Sequence, residues 1–334
     1  MAVPTTMTYI DAEKPGGPEV LKPKTGLVPE IKAGEVLIRV MAAGINRADV
    51  LQRQGGYNPP PGSSAVTGLE VSGEIAAVAS DVKAWKAGDK VCALVNSGGY
   101  AEYCPAPAQQ CMPWPKGYDA IQAAAVPETY LTVWANLFAK ERFQPGANYL
   151  IHGGTSGIGV TAIQLVKEFG AKAYATAGSK EKCDVCVKLG AVAAINYKEQ
   201  DFVEAIKALT DKKGADVVLD IVGGPYVQRN LSALAQRGTL VMIAFMEGPK
   251  AGEFNFGPVV VKHLTITGST LRPRSIEQKG ELVAELREKV YPVLDAGRCG
   301  PVIHTVLPLA QAAEAHALME SSRHIGKIML EVAK

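Results

Sequence analysis

The sequence predicts an α/β protein with two domains, one built on a doubly wound parallel sheet of six strands and the other mostly β. Three observations lead to this expectation. An apolar run at residues 149–151 breaks into a glycine-rich stretch, 153–159, that continues as a helical pattern. Strand-like and helix-like segments then alternate up to residue 268. The first 115 residues instead carry short β-like runs punctuated by glycine and proline.

The mostly β domain takes its strands from the runs 36–41, 71–79 and 90–95, with one helical segment at 48–53. The tract 55–62 contains three consecutive prolines, which remove backbone donors, so an exposed loop is expected there. Helical patterns follow over 118–138, with a break at Pro127.

The parallel sheet is expected from six apolar runs, which are residues 148–152, 172–176, 193–196, 217–221, 240–244 and 264–268. Beyond them the pattern predicts helices at 276–294 and 309–321 and a last strand at 327–332. The expected division is 125–268 for the domain with the parallel sheet, and 1–124 with 269–334 for the other.

Composition and charge argue against several classes of protein. The 35 basic and 33 acidic residues leave a net charge of +2, so no nucleic-acid partner is expected. No apolar run reaches the length of a membrane span, and residues 1–17 lack the pattern of a secretory signal. Six scattered cysteines suit reduced thiols and a cytoplasmic location. Cys183 and Cys186 fall within a helical pattern, where two thiols share a face more often than they form a redox pair.

The glycine-rich stretch predicts a dinucleotide site. A pyrophosphate needs backbone N–H donors at a helix N-terminus with no side chain in the way, and Gly154, Gly157 and Gly159 allow that approach. This chain departs from the usual Gly-x-Gly-x-x-Gly motif, because Ser156 replaces the middle glycine. A plain glycine-rich turn therefore remains an alternative. The helical pattern and second strand that follow favour the dinucleotide interpretation.

The end of the second predicted strand favours NADPH over NADH. NAD-selective sites place an acidic residue there, about twenty residues beyond the glycines, to bind the ribose hydroxyls. This chain has Ala177 at that position, followed by Lys180 and Lys182. A 2′-phosphate is held by cations and backbone donors, although either lysine alone could be a solvated first helical turn.

With these residues in view, the chain resembles from end to end the zinc-independent, zeta-crystallin-like quinone oxidoreductases of the medium-chain dehydrogenase/reductase superfamily. The resemblance rests on the nucleotide loop, on Gly68-Leu69-Glu70 and on the motifs that begin at Ala43 and Gly98. The tumour-suppressor-inducible subgroup looks most similar, since it shares Asn46-Arg-Ala-Asp49, the three prolines and Asn196-Tyr197-Lys198. The resemblance implies a GroES-like catalytic domain and a Rossmann domain.

No metal ion is expected. Where zinc-dependent relatives carry a cysteine ligand this chain has Asn46, and where they carry a histidine ligand it has Leu69. Cys92, Cys104 and Cys111 also lack the tight spacing of a structural zinc lobe.

Without a Lewis acid, the substrate must accept hydride with modest help, as a quinone or an enone does. The resemblance implies Asn46 and Tyr57 as hydrogen-bond donors near the nicotinamide. The alternatives are that Asn46 only caps a helix and that Tyr57 only covers the nicotinamide. Because glycine and prolines flank Tyr57, we expect it to be mobile.

The resemblance also implies a set of cofactor-binding residues. Those at the pyrophosphate are Ser156, Gly157 and Ile158, and those at the 2′-phosphate are Gly178, Lys182 and Tyr197. The remaining ones, most of them in stretches that line the nicotinamide, are Thr132, Phe245, Met246, Thr270, Leu271 and Lys327.

Two other functions stay open. An NADPH-dependent enoyl or alkenal reductase needs the same hydride geometry, so the sequence separates it poorly. A non-catalytic nucleotide-binding or RNA-associated protein, like the crystallins recruited from this family, is the alternative of another class. A hydrolase is excluded because Ser156 is not in a Gly-x-Ser-x-Gly elbow.

A homodimer is expected, since the strand near 265–269 would form an exposed sheet edge.

Overall fold

The computed structural model describes residues 3–138 and 143–333. The chain divides into two compact units. Unit 1 comprises Met1–Leu131, Leu271–Gly297 and Pro301–Lys334, and unit 2 comprises Thr132–Thr270 and Arg298–Gly300. The terminal residues 1, 2 and 334 of the predicted domains lie outside the described part of the chain.

The strands are β1 (Thr6–Ala12), β2 (Leu21–Leu27), β3 (Glu35–Gly44), β4 (Glu70–Val78), β5 (Lys90–Leu94), β6 (Tyr103–Pro107), β7 (Cys111–Pro113), β8 (Asn148–Ile151), β9 (Lys172–Ala177), β10 (Ala193–Asn196), β11 (Ala215–Asp220), β12 (Leu234–Met242), β13 (Thr265–Gly268), β14 (Ile303–Pro308) and β15 (Lys327–Glu331). The α-helices are α1 (Arg47–Arg53), α2 (Ala120–Ala124), α3 (Pro127–Val133), α4 (Gly157–Glu168), α5 (Lys180–Leu189), α6 (Phe202–Leu209), α7 (Val227–Ala233), α8 (Gly257–Lys262), α9 (Ile276–Lys289), α10 (Tyr291–Asp295) and α11 (Ala312–Ser321). One π-helical stretch, Trp134–Phe138, continues α3.

Unit 2 is built on a six-stranded sheet in the order β10-β9-β8-β11-β12-β13, and every pair in it is parallel. This confirms the predicted doubly wound sheet. The order reverses next to β8, where open α/β sheets bind ligands beyond the carboxyl ends of their strands. The core centres on the middle strands, with Leu150, Val218 and Leu240 fully buried.

Unit 1 is built on a seven-stranded sheet in the order β14-β15-β3-β4-β5-β7, with β6 also paired to β3. The central β3 pairs antiparallel with both β15 and β4. Its apolar residues form the core together with residues of β4, β5 and α11. Because β15 runs antiparallel to β3, its first residues, Lys327 and Ile328, come close to the start of α1.

Several features depart from the sequence expectations. The hairpin of β1 and β2 and the strands β6, β7 and β14 are additional. The predicted helix 276–294 ends at Lys289, before a short helix with Pro292 in its first turn. Strand β12 begins at Leu234, six residues before the predicted start. In the described ranges no helix is both long and apolar enough to cross a membrane.

Candidate active site

The glycine-rich stretch of unit 2 forms the turn between β8 and α4. Ser156 is the N-cap of α4, and its Oγ accepts a hydrogen bond from the Gly159 N–H at 2.9 Å. Gly157 and Ile158 occupy the first two helical positions, where N–H groups have no intrahelical acceptor. A Cβ on Gly159 would come within 2.3 Å of the Gly153 carbonyl oxygen, so only glycine permits this tight turn. The turn therefore presents backbone donors to an anion, as a dinucleotide requires.

A basic cluster lies at the end of the neighbouring strand β9. Ala177 is its last residue, and Ser179 caps α5 by accepting from the Lys182 N–H at 3.2 Å. A Cβ on Gly178 would lie 2.8 Å from the Tyr197 hydroxyl and 3.5 Å from the Lys198 side chain. Burial lowers the pKa of Lys182, and the charge of Lys198 lowers it further.

This basic cluster, Gly178, Lys182, Tyr197 and Lys198, brings together three residues that the resemblance implies. Lys198 is an additional cation. The sequence signal that points to it is its position directly after Tyr197 in the Asn196-Tyr197-Lys198 motif.

The other cofactor candidates of unit 2 lie outside these two clusters. Thr132 is partly buried in α3, and its carbonyl accepts from the Asn136 side chain at 2.8 Å. Phe245 and Met246 follow β12 and are about half exposed, and Thr270 is exposed. Leu271, the first residue of the next segment of unit 1, is buried.

Unit 1 contains a buried ionic cluster around Asn46, which precedes α1. The Lys327 ammonium donates to the Asn46 Oδ1 at 2.7 Å and to the Ile45 carbonyl at 3.1 Å, and it lies 2.5 Å from the Glu70 Oε1. The Asn46 Nδ2 donates to the same Glu70 oxygen at 3.0 Å. The orientation of the Asn46 amide is thus fixed from both ends. Its second N–H has only the Gly44 carbonyl nearby, at 3.5 Å, which is too long for an ordinary hydrogen bond.

The contacts of Lys327 give this residue a role within unit 1. An ammonium group has three donors, and the three contacts to Glu70, Asn46 and Ile45 account for them. Lys327 therefore orients Asn46 and neutralises Glu70 within unit 1. Direct binding of the cofactor by Lys327 stays a prediction.

A second buried carboxylate, Asp49, stabilises the start of α1. It accepts from the Asn46 N–H at 2.8 Å, from the Gly68 N–H at 3.1 Å and from the Tyr100 hydroxyl at 3.1 Å. Burial raises the pKa of Asp49 to about 6, although these donors favour its ionised form. The backbone of Asn46 is therefore held as firmly as its side chain.

Tyr57 lies on the proline-rich loop and is held by Arg272. The Arg272 guanidinium donates to the Tyr57 carbonyl at 2.8 Å and to the Gln52 Oε1 at 2.7 Å, and its carbon lies 4.4 Å from the centre of the tyrosine ring. Tyr57 is half-buried, and burial raises the pKa of its hydroxyl, which remains a donor at neutral pH. Arg272 thus contacts both the backbone and the ring of Tyr57, a residue that its flanking glycine and prolines are expected to leave mobile.

The residues of the ionic cluster do not fit a zinc ion. Asn46 and Glu70 both face the Lys327 ammonium, and Leu69 has no donor atom. Within residues 3–138 and 143–333, no group of three or more histidine, cysteine or acidic side chains is arranged to hold a metal. The second N–H of the Asn46 amide is the donor that this cluster could present to a bound molecule.

Comparisons with known proteins agree with this description over nearly the whole chain. Residues 32–116 match a family described as the alcohol dehydrogenase GroES-like domain, and residues 157–286 match one described as zinc-binding dehydrogenase. A quinone oxidoreductase of Sus scrofa is 32% identical over 327 residues, which cover 97% of either chain.

Two solved structures are also similar. The Escherichia coli quinone oxidoreductase complexed with NADPH is 31% identical, with a TM-score of 0.86 over 97% of this chain and 100% of that one. A structure described as an NAD-dependent alcohol dehydrogenase is 32% identical, with a TM-score of 0.87 over 98% of this chain and 100% of that one.

Proposed function

Because the chain belongs to the quinone oxidoreductase family of the medium-chain dehydrogenase/reductase superfamily, we propose that it reduces quinones with NADPH and without a metal ion. One observation carries the proposal. Asn46 stands where zinc-dependent relatives have a ligand, and its amide is fixed by Lys327 and Glu70 with one N–H left over. Such a site can activate an acceptor that needs hydrogen bonds alone, and a quinone is one.

Unit 2 supports the cofactor part of the proposal. The N–H groups at the start of α4 would bind the pyrophosphate, and the basic cluster at the end of β9 would bind the 2′-phosphate. The solved relatives are described with different nucleotides, NADPH in one and NAD in the other. Ala177 in place of an acidic residue favours NADPH here. NADPH supplies the hydride when bound.

The residues of unit 1 would stabilise the charge that hydride addition creates. A quinone that accepts hydride becomes negatively charged on oxygen, and fixed donors lower the energy of that charge more than mobile ones do. Asn46 would donate its remaining N–H and Tyr57 its hydroxyl. Arg272 and Lys327 would keep these two donors in place.

The proposal is tested by following NADPH absorbance with a panel of quinones, including 9,10-phenanthrenequinone, beside a panel of enones and alkenals. Each acceptor is run with NADPH and with NADH. We expect quinone turnover, with NADPH favoured over NADH. Preference for the enones would instead assign the double-bond reductase, and binding of NADPH without turnover of any acceptor would favour a non-catalytic role.

Replacing Ser156 by valine should weaken NADPH binding about tenfold or more, because one hydrogen bond to a charged group contributes roughly 1.5–3 kcal/mol. The same change removes the N-cap of α4 and should lower the free energy of unfolding by about 1 kcal/mol. Titration of cofactor fluorescence measures the first effect. The matched control is Ser156→Thr, which keeps the hydroxyl. Equal affinity in the wild type and the valine variant would mean that the Ser156 hydroxyl does not bind NADPH.

Replacing Tyr57 by phenylalanine should lower kcat about tenfold, since one hydrogen bond to a developing negative charge is lost. The ring still packs on Arg272, so KM and stability should change little. Steady-state kinetics with 9,10-phenanthrenequinone measure the change. Unaltered turnover would mean that Tyr57 contributes packing alone.

We also propose that the protein is a cytoplasmic homodimer. The edge strand β13 is paired on one side, with β12, within the described residues, and its Ile266 is partly exposed. Val260 and Val261 of the preceding helix are 74% and 73% exposed. A second copy would cover this edge and these valines. In the described part of the chain none of the six cysteines forms a disulfide, which suits a reducing compartment. A monomer in multi-angle light scattering would exclude the dimer, and fractionation of cells tests the location.

A further inference from the structure

Glu128 lies next to the ionic cluster but takes no part in its hydrogen bonds through its side chain. It is the second residue of α3, directly after Pro127, and its backbone N–H donates to the Glu70 Oε2 at 2.8 Å. The other oxygen of Glu70 contacts Lys327 and Asn46. Glu128 is therefore one hydrogen bond away from the group that fixes Asn46.

The carboxyl group of Glu128 is uncommitted. Within the described part of the chain, it forms neither a hydrogen bond nor an ion pair, and the residue is partly exposed. Glu70 and Asp49, the two other acidic residues of this region, are fully buried and accept several hydrogen bonds each. Carboxyl groups removed from water are normally paired in this way. The fold uses Glu70 and Asp49 and leaves the side chain of Glu128 available.

Charged and titratable groups of unit 1 interact electrostatically with Glu128. The residues whose charges shift the pKa of Glu128 are Glu70, Asp49, Lys327 and Arg272. The charge of Glu128 in turn raises the pKa of Lys279 and of Tyr57. Burial raises the pKa of Glu128 to about 7, the negative charge of Glu70 adds to this rise, and the positive charges of Lys327 and Arg272 oppose it. The carboxyl group thus carries a proton below about pH 7 and loses it above.

We propose that Glu128 is the catalytic acid that completes the reduction, an assignment that rests on the proposed function. Hydride addition gives the quinone one hydrogen and two electrons and leaves a hydroquinone anion. The O–H bond of Glu128 breaks, an O–H bond forms on the anionic oxygen, and the carboxylate left behind takes a proton from water. The sum is quinone, NADPH and one proton giving hydroquinone and NADP⁺.

This assignment separates the tasks of Glu128 and Tyr57. A general acid works best when its pKa is near the working pH. Burial moves the pKa of Tyr57 upward from an already high value, which suits a hydrogen-bond donor better than a proton source. The carboxyl group of Glu128 meets the requirement for a proton source near neutral pH.

The experiment compares the pH profile of kcat for the wild type, Glu128→Gln and Glu128→Asp between pH 5.5 and 9, with NADPH and 9,10-phenanthrenequinone. In the wild type we expect kcat to fall as pH rises through about 7, because the acid form is lost. Glutamine keeps the size of the side chain but has no acidic proton. It should lower kcat at pH 6 on the order of 10²-fold and remove the fall near pH 7. Aspartate should restore part of the rate and the fall with pH.

Binding and stability measurements separate this role from a structural one. The Kd for NADPH and the Tm of Glu128→Gln should stay close to the wild-type values. If Glu128→Gln keeps the wild-type kcat and pH profile while the wild type reduces quinones, the assignment of Glu128 is wrong and the proposed function stands. If the wild type binds NADPH but reduces no quinone, the proposed function fails and the assignment fails with it.

Discussion

Replacing Lys327 by methionine is expected to lower the free energy of unfolding by about 3–5 kcal/mol. The change leaves the carboxylate of Glu70 buried without its ammonium partner, which now lies 2.5 Å away. Removing one member of a buried ion pair costs far more than removing a surface charge, because the remaining charge cannot be solvated. Denaturant unfolding followed by circular dichroism measures the loss. The activity of the folded fraction should fall too, since the Asn46 Oδ1 loses its donor.

Two control variants make this prediction specific. Lys180 forms a pair with Asp184 at 2.6 Å in which the side chains are 84% and 64% exposed, so Lys180→Met should change stability by less than about 1 kcal/mol. The double variant Lys327→Met with Glu70→Gln removes both charges and should recover much of the lost stability. A loss of less than about 1 kcal/mol for Lys327→Met alone, equal to that for Lys180→Met, would show that the cluster does not depend on this charge pair.

The parallel sheet could be predicted from the sequence because its signals are local. A buried strand, a glycine turn and an amphipathic helix follow one another within about twenty residues around Ser156, and the same alternation recurs. The hairpin of β1 and β2 could not be predicted from the sequence, because β2 contains Pro23 and Gly26 and buries only Leu21. Such a strand has no apolar alternation to detect. Its stability comes from pairing with β1, which is a tertiary property.

The candidate site also has one part that could be predicted from the sequence and one that could not. The nucleotide loop and the basic residues after β9 were predictable because each is one short stretch. The ionic cluster was not, because Asn46 is 24 residues from Glu70 and 281 from Lys327. A charged residue in a sequence is usually solvated, so no pattern indicates that Glu70 and Lys327 are buried against each other. Asn46 was predicted as a donor, but what fixes it was visible only in the structure.

Replacing Ala177 by aspartate is expected to reverse the cofactor preference, with a change in the ratio of NADPH to NADH affinity on the order of 10²–10³-fold. The new carboxylate would lie at the end of β9, beside the basic cluster of Gly178, Lys182, Tyr197 and Lys198. It would repel a 2′-phosphate and pair with the cations that would otherwise bind one. With NADH it would instead accept hydrogen bonds from the ribose hydroxyls.

Ala177→Asn is the matched control, because asparagine has the size of aspartate without its charge. Ala177 is buried and its carbonyl accepts from the Tyr197 N–H at 3.2 Å, so any larger side chain disturbs the end of β9 to a similar extent. A steric effect would weaken the binding of both nucleotides in both variants. Repulsion between charges would weaken the binding of NADPH in the aspartate variant alone. If the aspartate and asparagine variants lose the same affinity for NADPH, the basic cluster does not bind the 2′-phosphate. The preference for NADPH would then come from other residues.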